Sequence, residues 1–366
     1  MDCLLTRNEE DLYLVMKNYH NHTSEYFYNQ VSKKMTKKIL VSGATGAMGK
    51  YLVPLLSACG YSVDAVSLDK TDNELPNVRN ITGNAMDWDF LGELLKNRYD
   101  AIVDFMIYGT TDLARFFPYL QQATDHYIYL SSYRVYDNKE IPIRESSPRL
   151  LDSSENIALR NSEDYSIYKA RGENIIRAFP KKNWTIIRPA ITYSLMRYQL
   201  VTLEAPNTVG RAFAGKSVLL PEQARNIQGT MSWAGDVATM ISRLLFNEKA
   251  FGETFSVCTA EHHSWGEIAD YYKEICGLDA IWIDKEDYIP ILDPEPHNYW
   301  SRWQLEYDRM FDRIMDNSKI LKVTGMSQKD LMPLYQGLER EISRCPRDYC
   351  WPVNQLMDDY IAKMIR

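Results

Sequence analysis

The sequence predicts an α/β fold, a doubly wound parallel sheet with a smaller C-terminal substrate-binding lobe. From residue 38 onward, short apolar runs alternate with segments of helical periodicity, as in strand–helix–strand units. The apolar runs give the predicted strands Ile39–Ser42, Val63–Leu68, Arg79–Thr82, Ala101–Met106, Tyr127–Ser131 and Thr185–Arg188. The periodic segments give the predicted helices Tyr51–Cys59, Phe90–Lys96, Leu113–Ala123 and Ser166–Phe179. Six strands in a row suit a sheet that binds a dinucleotide.

Composition and charge narrow the class of protein. Of the 366 residues, 45% are hydrophobic and 25% are charged, which excludes a disordered or collagen-like chain. The net charge of −7 offers no basic field for a polyphosphate backbone, so we expect no nucleic-acid partner. The first residues lack the pattern of a signal peptide, and no stretch is apolar for long enough to span a membrane. We therefore expect a cytoplasmic protein with no membrane partner; its oligomeric state stays open, a homodimer included.

A glycine-rich turn follows the first predicted strand and precedes a helix. This turn, GATGAMG, contains Gly43, Thr45, Gly46, Ala47, Met48 and Gly49. Glycines let the backbone approach a pyrophosphate, and the helix N-terminus points free N–H groups at the anion. Because the spacing is GxxGxxG rather than GxGxxG, a tight turn without a ligand is the alternative. The same segment holds no metal-ligand pattern, and the pair His20 and His22 lacks a third ligand, so we expect no metal.

Two later strand ends offer contacts for the adenosine half of a dinucleotide. Asp69 ends the second predicted strand, where a carboxylate binds the ribose hydroxyls of NAD and disfavours the 2′-phosphate of NADP. Asn84 and Ala85 follow the third strand, where an adenine ring would lie. A simple turn role is the alternative for both places. The predicted cofactor is NAD.

Tyr165 and Lys169 are spaced for acid/base chemistry. Four residues apart, they share one face of the predicted helix. An ammonium one turn away, together with a positive nicotinamide, favours the phenolate and makes tyrosine a usable acid/base. Tyr168 lies in the same segment and could be mistaken for the catalytic tyrosine. The position of Tyr165 after the fifth strand, which ends next to Ser132, favours the pair Tyr165 and Lys169.

These motifs together resemble the extended short-chain dehydrogenases/reductases of the NAD-dependent nucleotide-sugar epimerase/dehydratase family, over residues 38 to about 342. The recurring features are GATGAMG, Asp69, LSSYRVY, YSIYK with Glu173, and Arg188-Pro189. Asp236-Val237-Ala238, Gly252–Val257 and Asn317–Ile320 are similar to C-terminal landmarks of the family. The change of pattern near residue 38 and the weaker alternation beyond Pro189 predict an N-terminal extension (1–36), an NAD-binding Rossmann-like domain (37–190) and mainly a substrate-binding lobe (191–366), with some segments returning to the sheet.

The resemblance also implies roles for single residues. Tyr165 would be the catalytic acid/base, Lys169 would bind the nicotinamide ribose and lower the pKa of Tyr165, and Ser132 would hold the substrate oxygen. With the turn residues, Asp69, Asn84 and Ala85, Tyr165 and Lys169 would complete the NAD site. The substrate implied is a nucleotide-diphosphate sugar, oxidised first at C4.

Several departures from the family pattern bear on the reaction. Tyr133 and Arg134 replace the Asp-Glu pair of similar 4,6-dehydratases, which disfavours dehydration and places Tyr133 beside the substrate. After the fourth strand, Asp104–Gly109 is bulkier than the small residues common there. The usual arginine for the substrate diphosphate has no counterpart, so Arg225 or Arg211 would replace it.

The predicted function is an NAD-dependent nucleotide-sugar epimerase. The alternatives are a dehydrogenase or reductase acting on a similar sugar and a non-catalytic NAD-binding protein of the same fold. A further segment interleaves Trp300, Trp303 and Tyr307 with Arg302 and Arg309. It suits either a lid that stacks on the substrate base with an arginine near the phosphates, or an amphipathic helix that packs its aromatic residues into the second lobe.

Overall fold

The computed structural model describes residues 36–71, 74–294 and 300–364. In chain order its strands are β1 (Lys38–Ser42), β2 (Ser62–Ser67), β3 (Val78–Thr82), β4 (Tyr99–Asp104), β5 (Thr124–Leu130), β6 (Trp184–Pro189), β7 (Ile191–Tyr193), β8 (Val218–Pro221), β9 (Gln228–Gly229), β10 (Met231–Trp233), β11 (Glu253–Val257), β12 (His263–Ser264) and β13 (Ala280–Ile283). The predicted N-terminal extension, with its histidine pair, lies outside the described residues except for residue 36.

The helices lie between these strands and after them. They are α1 (Gly49–Ala58), α2 (Trp88–Leu95), α3 (Thr110–Gln122), α4 (Leu150–Ser153), α5 (Ile157–Asn161), α6 (Tyr165–Ala178), α7 (Val209–Phe213), α8 (Ala234–Leu244), α9 (Trp265–Cys276), α10 (Lys285–Leu292), α11 (Trp300–Gln304), α12 (Ser318–Thr324), α13 (Leu334–Ser343) and α14 (Gln355–Met364). A π-helical turn, Leu305–Arg309, continues α11.

The predicted fold class is confirmed by a central sheet of seven parallel strands. Their order is β11-β6-β5-β4-β1-β2-β3. The chain runs outward from β1 through β2 to β3, and then outward in the opposite direction from β4 through β5 to β6. The strand order therefore reverses between β1 and β4, the place where open α/β sheets bind ligands at the carboxyl ends of their strands. The seventh strand, β11, comes from the C-terminal half of the chain and pairs with β6.

Alternating side chains bury both faces of the sheet. On β1, Ile39 and Val41 join the core that includes α1 and α8, whereas Leu40 joins the core that includes α3. This period-2 pattern follows from strand geometry, and burial on both faces explains the nearly continuous apolar runs of the sequence. Helices α3 and α6 pack together on one face, and α1 and α8 on the other.

The second lobe is built on three short strand pairs. Strands β7 and β10 are parallel, β8 and β13 are parallel, and β9 and β12 are antiparallel. Helix α9 begins with a capping box between Ser264 and Glu267 and ends at Gly277, whose φ is +77°. Within the described ranges, no helix has the length and apolar character that crossing a membrane would take.

Candidate active site

A cavity of about 500 Å³ opens at the carboxyl ends of β1 to β6. One end of it is lined by the glycine turn and Asp69, the middle by Ser132 and Tyr165, and the far end by side chains of the second lobe. The lobe contributes Arg197, Gln199, Glu204, Gln304 and Arg309. The predicted cofactor turn and the predicted acid/base therefore share one cavity.

The turn between β1 and α1 has the geometry of an anion-binding loop. Gly43 has a φ of +79°, a conformation that favours glycine, and its N–H donates to the Val66 carbonyl at 3.0 Å. A Cβ on Gly49 would lie 2.5 Å from the carbonyl oxygens of Gly43 and Ala44. Helix α1 starts without a side-chain cap and without an acidic residue in its first turn. Its N-terminal N–H groups are thus not covered by a cap at the cavity edge.

The strand ends beside this turn are arranged only partly as predicted. Asp69 is exposed at the cavity edge, where its carboxylate accepts a hydrogen bond from Thr45 Oγ1 at 3.1 Å. Ala85 lines the cavity and is buried. Asn84 does not line it, because its side chain accepts from the Met86 N–H at 2.9 Å and closes the turn before α2.

Tyr165 and Ser132 meet in the middle of the cavity. Tyr165 is the first residue of α6, and Asp164 caps that helix by accepting from the Ser166 N–H at 2.9 Å. Ser132 follows β5 and is buried, and its Oγ accepts from the Arg134 N–H at 3.1 Å. The cap and the turn after β5 fix the two hydroxyl groups on neighbouring elements.

The pKa of Tyr165 is set by opposing influences. Burial raises the pKa above the ordinary value of 10, while the Arg134 guanidinium, a hydrogen bond with Ser132 and the Arg197 guanidinium lower it. The Arg134 guanidinium carbon lies 5.1 Å from the centre of the Tyr165 ring. Arginines thus surround the phenol, a feature that the sequence motif does not reveal.

Lys169 lies beneath the cavity rather than in its wall. Its side chain is fully buried, and its ammonium donates to the Leu130 carbonyl at 2.6 Å and stands 5.8 Å from the Tyr165 ring centre. Burial lowers the pKa of Lys169 to about 7, against the opposing effects of Asp104 and Glu173. Its predicted contact with a nicotinamide ribose stays a prediction.

A buried ion pair fixes the elements that carry the two hydroxyl groups. The Glu173 carboxylate on α6 accepts from Ser131 Oγ at the end of β5 at 2.7 Å and from two nitrogens of Arg188 on β6, at 2.7 and 2.6 Å. Arg149 adds a third contact to the same carboxylate, at 3.1 Å. Because Ser131 precedes Ser132, this carboxylate joins the chain on both sides of the candidate active site.

Helix α6 also approaches the sheet through a glycine. A Cβ on Gly172 would lie 2.4 Å from the Tyr129 hydroxyl and 2.8 Å from Leu113 Cδ2. The close packing brings Lys169, one turn earlier, within reach of the backbone of β5.

The wall after β4 is bulky, as the sequence indicates. Phe105, Met106 and Ile107 line the cavity, and the Phe105 Cβ would lie 3.1 Å from a Cβ on Gly43. Asp104 is fully buried and accepts from the hydroxyls of Tyr108 at 3.0 Å and Tyr127 at 2.8 Å. Strand β4 ends at Asp104, two residues before the predicted end, because the carboxylate also accepts from the Met106 N–H and turns the chain.

The arginine after Tyr133 belongs to a group of three, here called the arginine cluster: Arg134, Arg309 and Arg313. All three surround the buried Asp308 carboxylate, with Arg134 Nε at 3.5 Å and Arg313 Nε at 3.0 Å from it and Arg309 in contact with it. Arg309 also donates to the Tyr133 hydroxyl at 2.7 Å. Tyr133, predicted to lie beside the substrate, lines the cavity and is held by this cluster.

Arg225 and Arg211, predicted as replacements for the diphosphate-binding arginine, do not line the cavity. Arg225 is half exposed and lies 3.7 Å from Glu222. Arg211 is buried, donates to the Ser217 carbonyl at 2.6 Å and pairs with Asp358 at 2.8 Å. Neither guanidinium group is thus brought together with the other predicted site residues.

Sequence reasoning missed the polar residues of the second lobe. Arg197 and Glu204 lie in irregular chain between β7 and α7, where no periodicity or motif marks them. In the segment rich in aromatic residues, Trp303 and Tyr307 pack beside Leu159 of the predicted NAD-binding domain rather than into the second lobe, and Arg309 of the same segment lines the cavity. The signal for Arg309 in the sequence was its position after the aromatic residues Trp303 and Tyr307.

Comparison with known proteins supports the family resemblance. The model of the NAD dependent epimerase/dehydratase family matches residues 39–114, which contain the glycine turn and Asp69. The resemblance found in the motifs is thereby confirmed. No curated protein matches the chain.

Solved structures share the fold. The epimerase Mth375 of Methanothermobacter thermautotrophicus is 15% identical, with a TM-score of 0.67 over 90% of this chain and 94% of that chain. The UDP-glucuronic acid 4-epimerase of Bacillus cereus, solved with UDP-glucuronic acid and NAD, is 17% identical, with a TM-score of 0.61 over 84% and 98%. WbmG of Bordetella bronchiseptica, solved with NAD, is 14% identical, with a TM-score of 0.63 over 86% and 95%. At these identities the likeness establishes the fold alone.

Proposed function

We propose that the protein is an NAD-dependent nucleotide-sugar epimerase that acts through transient oxidation of a sugar carbon, C4 by resemblance. The observation that supports this proposal is the single cavity that joins the glycine turn and Asp69 to Ser132, Tyr165 and the second lobe. Solved structures of the same fold contain NAD, and several also contain a UDP-sugar. A cytoplasmic location and a homodimer stay predictions.

The residues at the glycine turn fit a dinucleotide. Gly49 allows the tight turn, because a Cβ there would collide with the carbonyl oxygens of Gly43 and Ala44; the N-terminus of α1 is uncapped, and Asp69 stands where it could accept from ribose hydroxyls. Asp69 would also repel a 2′-phosphate, which favours NAD over NADP. When bound, NAD supplies a hydride acceptor for the sugar carbon and returns the hydride.

In the proposed reaction, the protein's own side chains take up and return the proton of the sugar hydroxyl. Tyr165 would take the proton of the sugar hydroxyl on its phenolate oxygen and give it back after the sugar has turned in the cavity. Ser132, which lines the same cavity as Tyr165, would hold the same sugar oxygen. Arg134 stabilises the phenolate from beside the ring, and Lys169 fixes the start of α6 to β5 through the Leu130 carbonyl.

The matched substitutions Tyr165→Phe and Tyr168→Phe test this proposal. The two tyrosines lie on the same helix with ring centres 5.4 Å apart, but only Tyr165 lines the cavity. We expect Tyr165→Phe to lower turnover by about 10²–10⁴-fold, the range of a lost acid/base, with NAD affinity changed only a few-fold. Tyr168→Phe should retain turnover. The measurements are NAD titration and conversion of a panel of nucleotide sugars at C4.

The same assays separate the alternatives. An epimerase returns the hydride, so NADH does not accumulate; accumulation of NADH in step with product would identify a dehydrogenase. Tight NAD binding without conversion of any nucleotide sugar would identify a non-catalytic NAD-binding protein. Near-normal turnover of Tyr165→Phe would remove Tyr165 from its assigned role.

A further inference from the structure

The far end of the cavity carries more positive than negative charge. The arginines Arg134, Arg197 and Arg309 line it, whereas Glu204 is the one carboxylate among the residues found to line this end; the other lining carboxylate, Asp69, stands at the cofactor turn. Glu204 is occupied by a hydrogen bond from Gln199. Behind the wall, the Asp308 carboxylate is shared by the whole arginine cluster.

Because the arginines of the cluster share the single Asp308 carboxylate, those at the cavity wall can still donate hydrogen bonds to a ligand. Arg134 is 14% exposed, and its Nε is buried without a hydrogen-bond partner; its ion-pair distances to Asp308 and Asp164 are 3.5 and 3.8 Å, both longer than a hydrogen bond. Among residues 36–71, 74–294 and 300–364, no carboxylate pairs with the Arg197 guanidinium. Partly buried cations that are incompletely paired are costly, and a bound anion would offset that cost.

From this arrangement we infer that the cavity binds a sugar carboxylate through Arg134 and Arg197, so that the substrate is a nucleotide-linked uronic acid. The inference rests on the proposed function and adds the class of sugar to it. Guanidinium groups match carboxylates because they offer two parallel N–H donors.

The position of Arg134 favours a carboxylate over the diphosphate of the same substrate. Its guanidinium carbon lies 5.1 Å from the ring centre of Tyr165, whose hydroxyl faces the reacting carbon in the proposed reaction. A cation this close to the acid/base reaches substituents next to the reacting carbon. On a pyranose that reacts at C4, C6 is attached to the neighbouring carbon, whereas the diphosphate at C1 lies across the ring. The carboxylate therefore belongs at C6.

The test compares two ligands that differ only at C6, UDP-glucuronic acid and UDP-glucose, or the same pair on whichever nucleoside diphosphate binds best among UDP, GDP, CDP and dTDP. With NAD present, we expect the uronate to bind at least about tenfold more tightly, as a charge-assisted pair provides. Arg134→Gln should remove this preference, Arg134→Lys should keep part of it, and Arg225→Gln, outside the cavity, should leave it unchanged.

The nucleoside diphosphate alone distinguishes the two anions. We expect its affinity to be the same for the parent and for Arg134→Gln; a loss there would show that Arg134 holds the diphosphate and would overturn the inference. Equal affinities for the two sugars in the parent, or an unchanged preference in Arg134→Gln, would also overturn it. If Arg134→Gln does not fold, Arg197→Gln takes its place, with a preference reduced at least threefold expected and an unchanged one contradicting the inference.

Failure of the proposed function would look different. In that case neither sugar nor any of the nucleoside diphosphates would bind, whereas failure of the carboxylate inference alone leaves a protein that binds and converts nucleotide sugars without regard to C6.

Discussion

Replacing Lys169 by methionine should change how stability depends on pH. The ammonium is fully buried, and burial lowers its pKa from 10.5 to about 7 in the folded protein. Between these two values, the unfolded chain is protonated at this lysine while the folded chain is largely neutral. The unfolded state therefore binds more protons, and the free energy of unfolding rises with pH.

The two pKa values fix the size of the effect. Linkage gives an increase of about 2 kcal/mol in the free energy of unfolding between pH 7 and pH 9 from this one group. Lys169→Met should lack this increase. The substitution also leaves the Leu130 carbonyl without its donor, at a cost of about 1–3 kcal/mol that does not depend on pH. The informative quantity is therefore how the difference in free energy of unfolding between the parent and Lys169→Met changes with pH.

Denaturant unfolding of the cofactor-free protein at pH 7, 8 and 9 measures this quantity. All other titrating groups are common to the parent and the variant, so the difference between them isolates Lys169. Lys139→Met, which removes an exposed lysine that donates to the Ser153 carbonyl, shows the effect of losing a lysine at the surface. Parallel pH curves for the parent and Lys169→Met would refute the lowered pKa.

Four further positions give predictions with separate readouts. Gly49→Ala should abolish NAD binding, because a Cβ would lie 2.5 Å from two carbonyl oxygens. The control Gly92→Ala, with open space around it on exposed helix α2, should raise the free energy of unfolding by about 0.5–1 kcal/mol. Equal NAD titrations for the two variants would contradict the prediction for Gly49. Asp69→Asn should improve NADP affinity relative to NAD, and an unchanged ratio in fluorescence titration would remove Asp69 from the ribose site. Glu173→Gln should lower the free energy of unfolding by about 3–5 kcal/mol at pH 7, since it leaves the buried Arg188 without its carboxylate. A loss below 1 kcal/mol in denaturant melts would show that Arg188 finds another partner.

Local patterns allowed much of the fold to be predicted from the sequence. The six predicted strands all occur; most form apolar runs because both faces of the parallel sheet are buried, whereas β3, at the sheet edge, is partly exposed. The segment Gly252–Val257 was identified only as a landmark, although it forms the seventh strand. Its pairing with β6 joins residues about 68 positions apart, as in Glu253 with Thr185, and no local pattern encodes such a contact.

The residues of the candidate site were likewise predictable only where a local motif marks them. Gly49 and Tyr165 belong to short motifs whose spacing carries their geometry, so the sequence points to both. The position of Arg197 depends on how distant segments fold against each other, so the sequence does not place it in the cavity, and Arg309 entered only through one alternative for its segment, a lid over the substrate. Arg134 was noted only as a departure from dehydratases; its contact with the Tyr165 ring appears once α6 and the turn after β5 are packed together.

The contact between Tyr133 and Arg309 restricts how ligands reach the cavity. It joins the turn after β5 to the second lobe through groups that are almost fully buried, with Asp308 between them. Swinging the lobes apart would break the contacts of Tyr133 with Arg309 and of Arg134 with Asp308, whereas Asp308 would keep Arg309 and Arg313 of its own lobe. We therefore expect these contacts to hold the two lobes together at the reactive end, so that NAD and sugar enter and leave past side chains at the rim. Ile107, 57% exposed on the cavity wall, is well placed to act as such a gate.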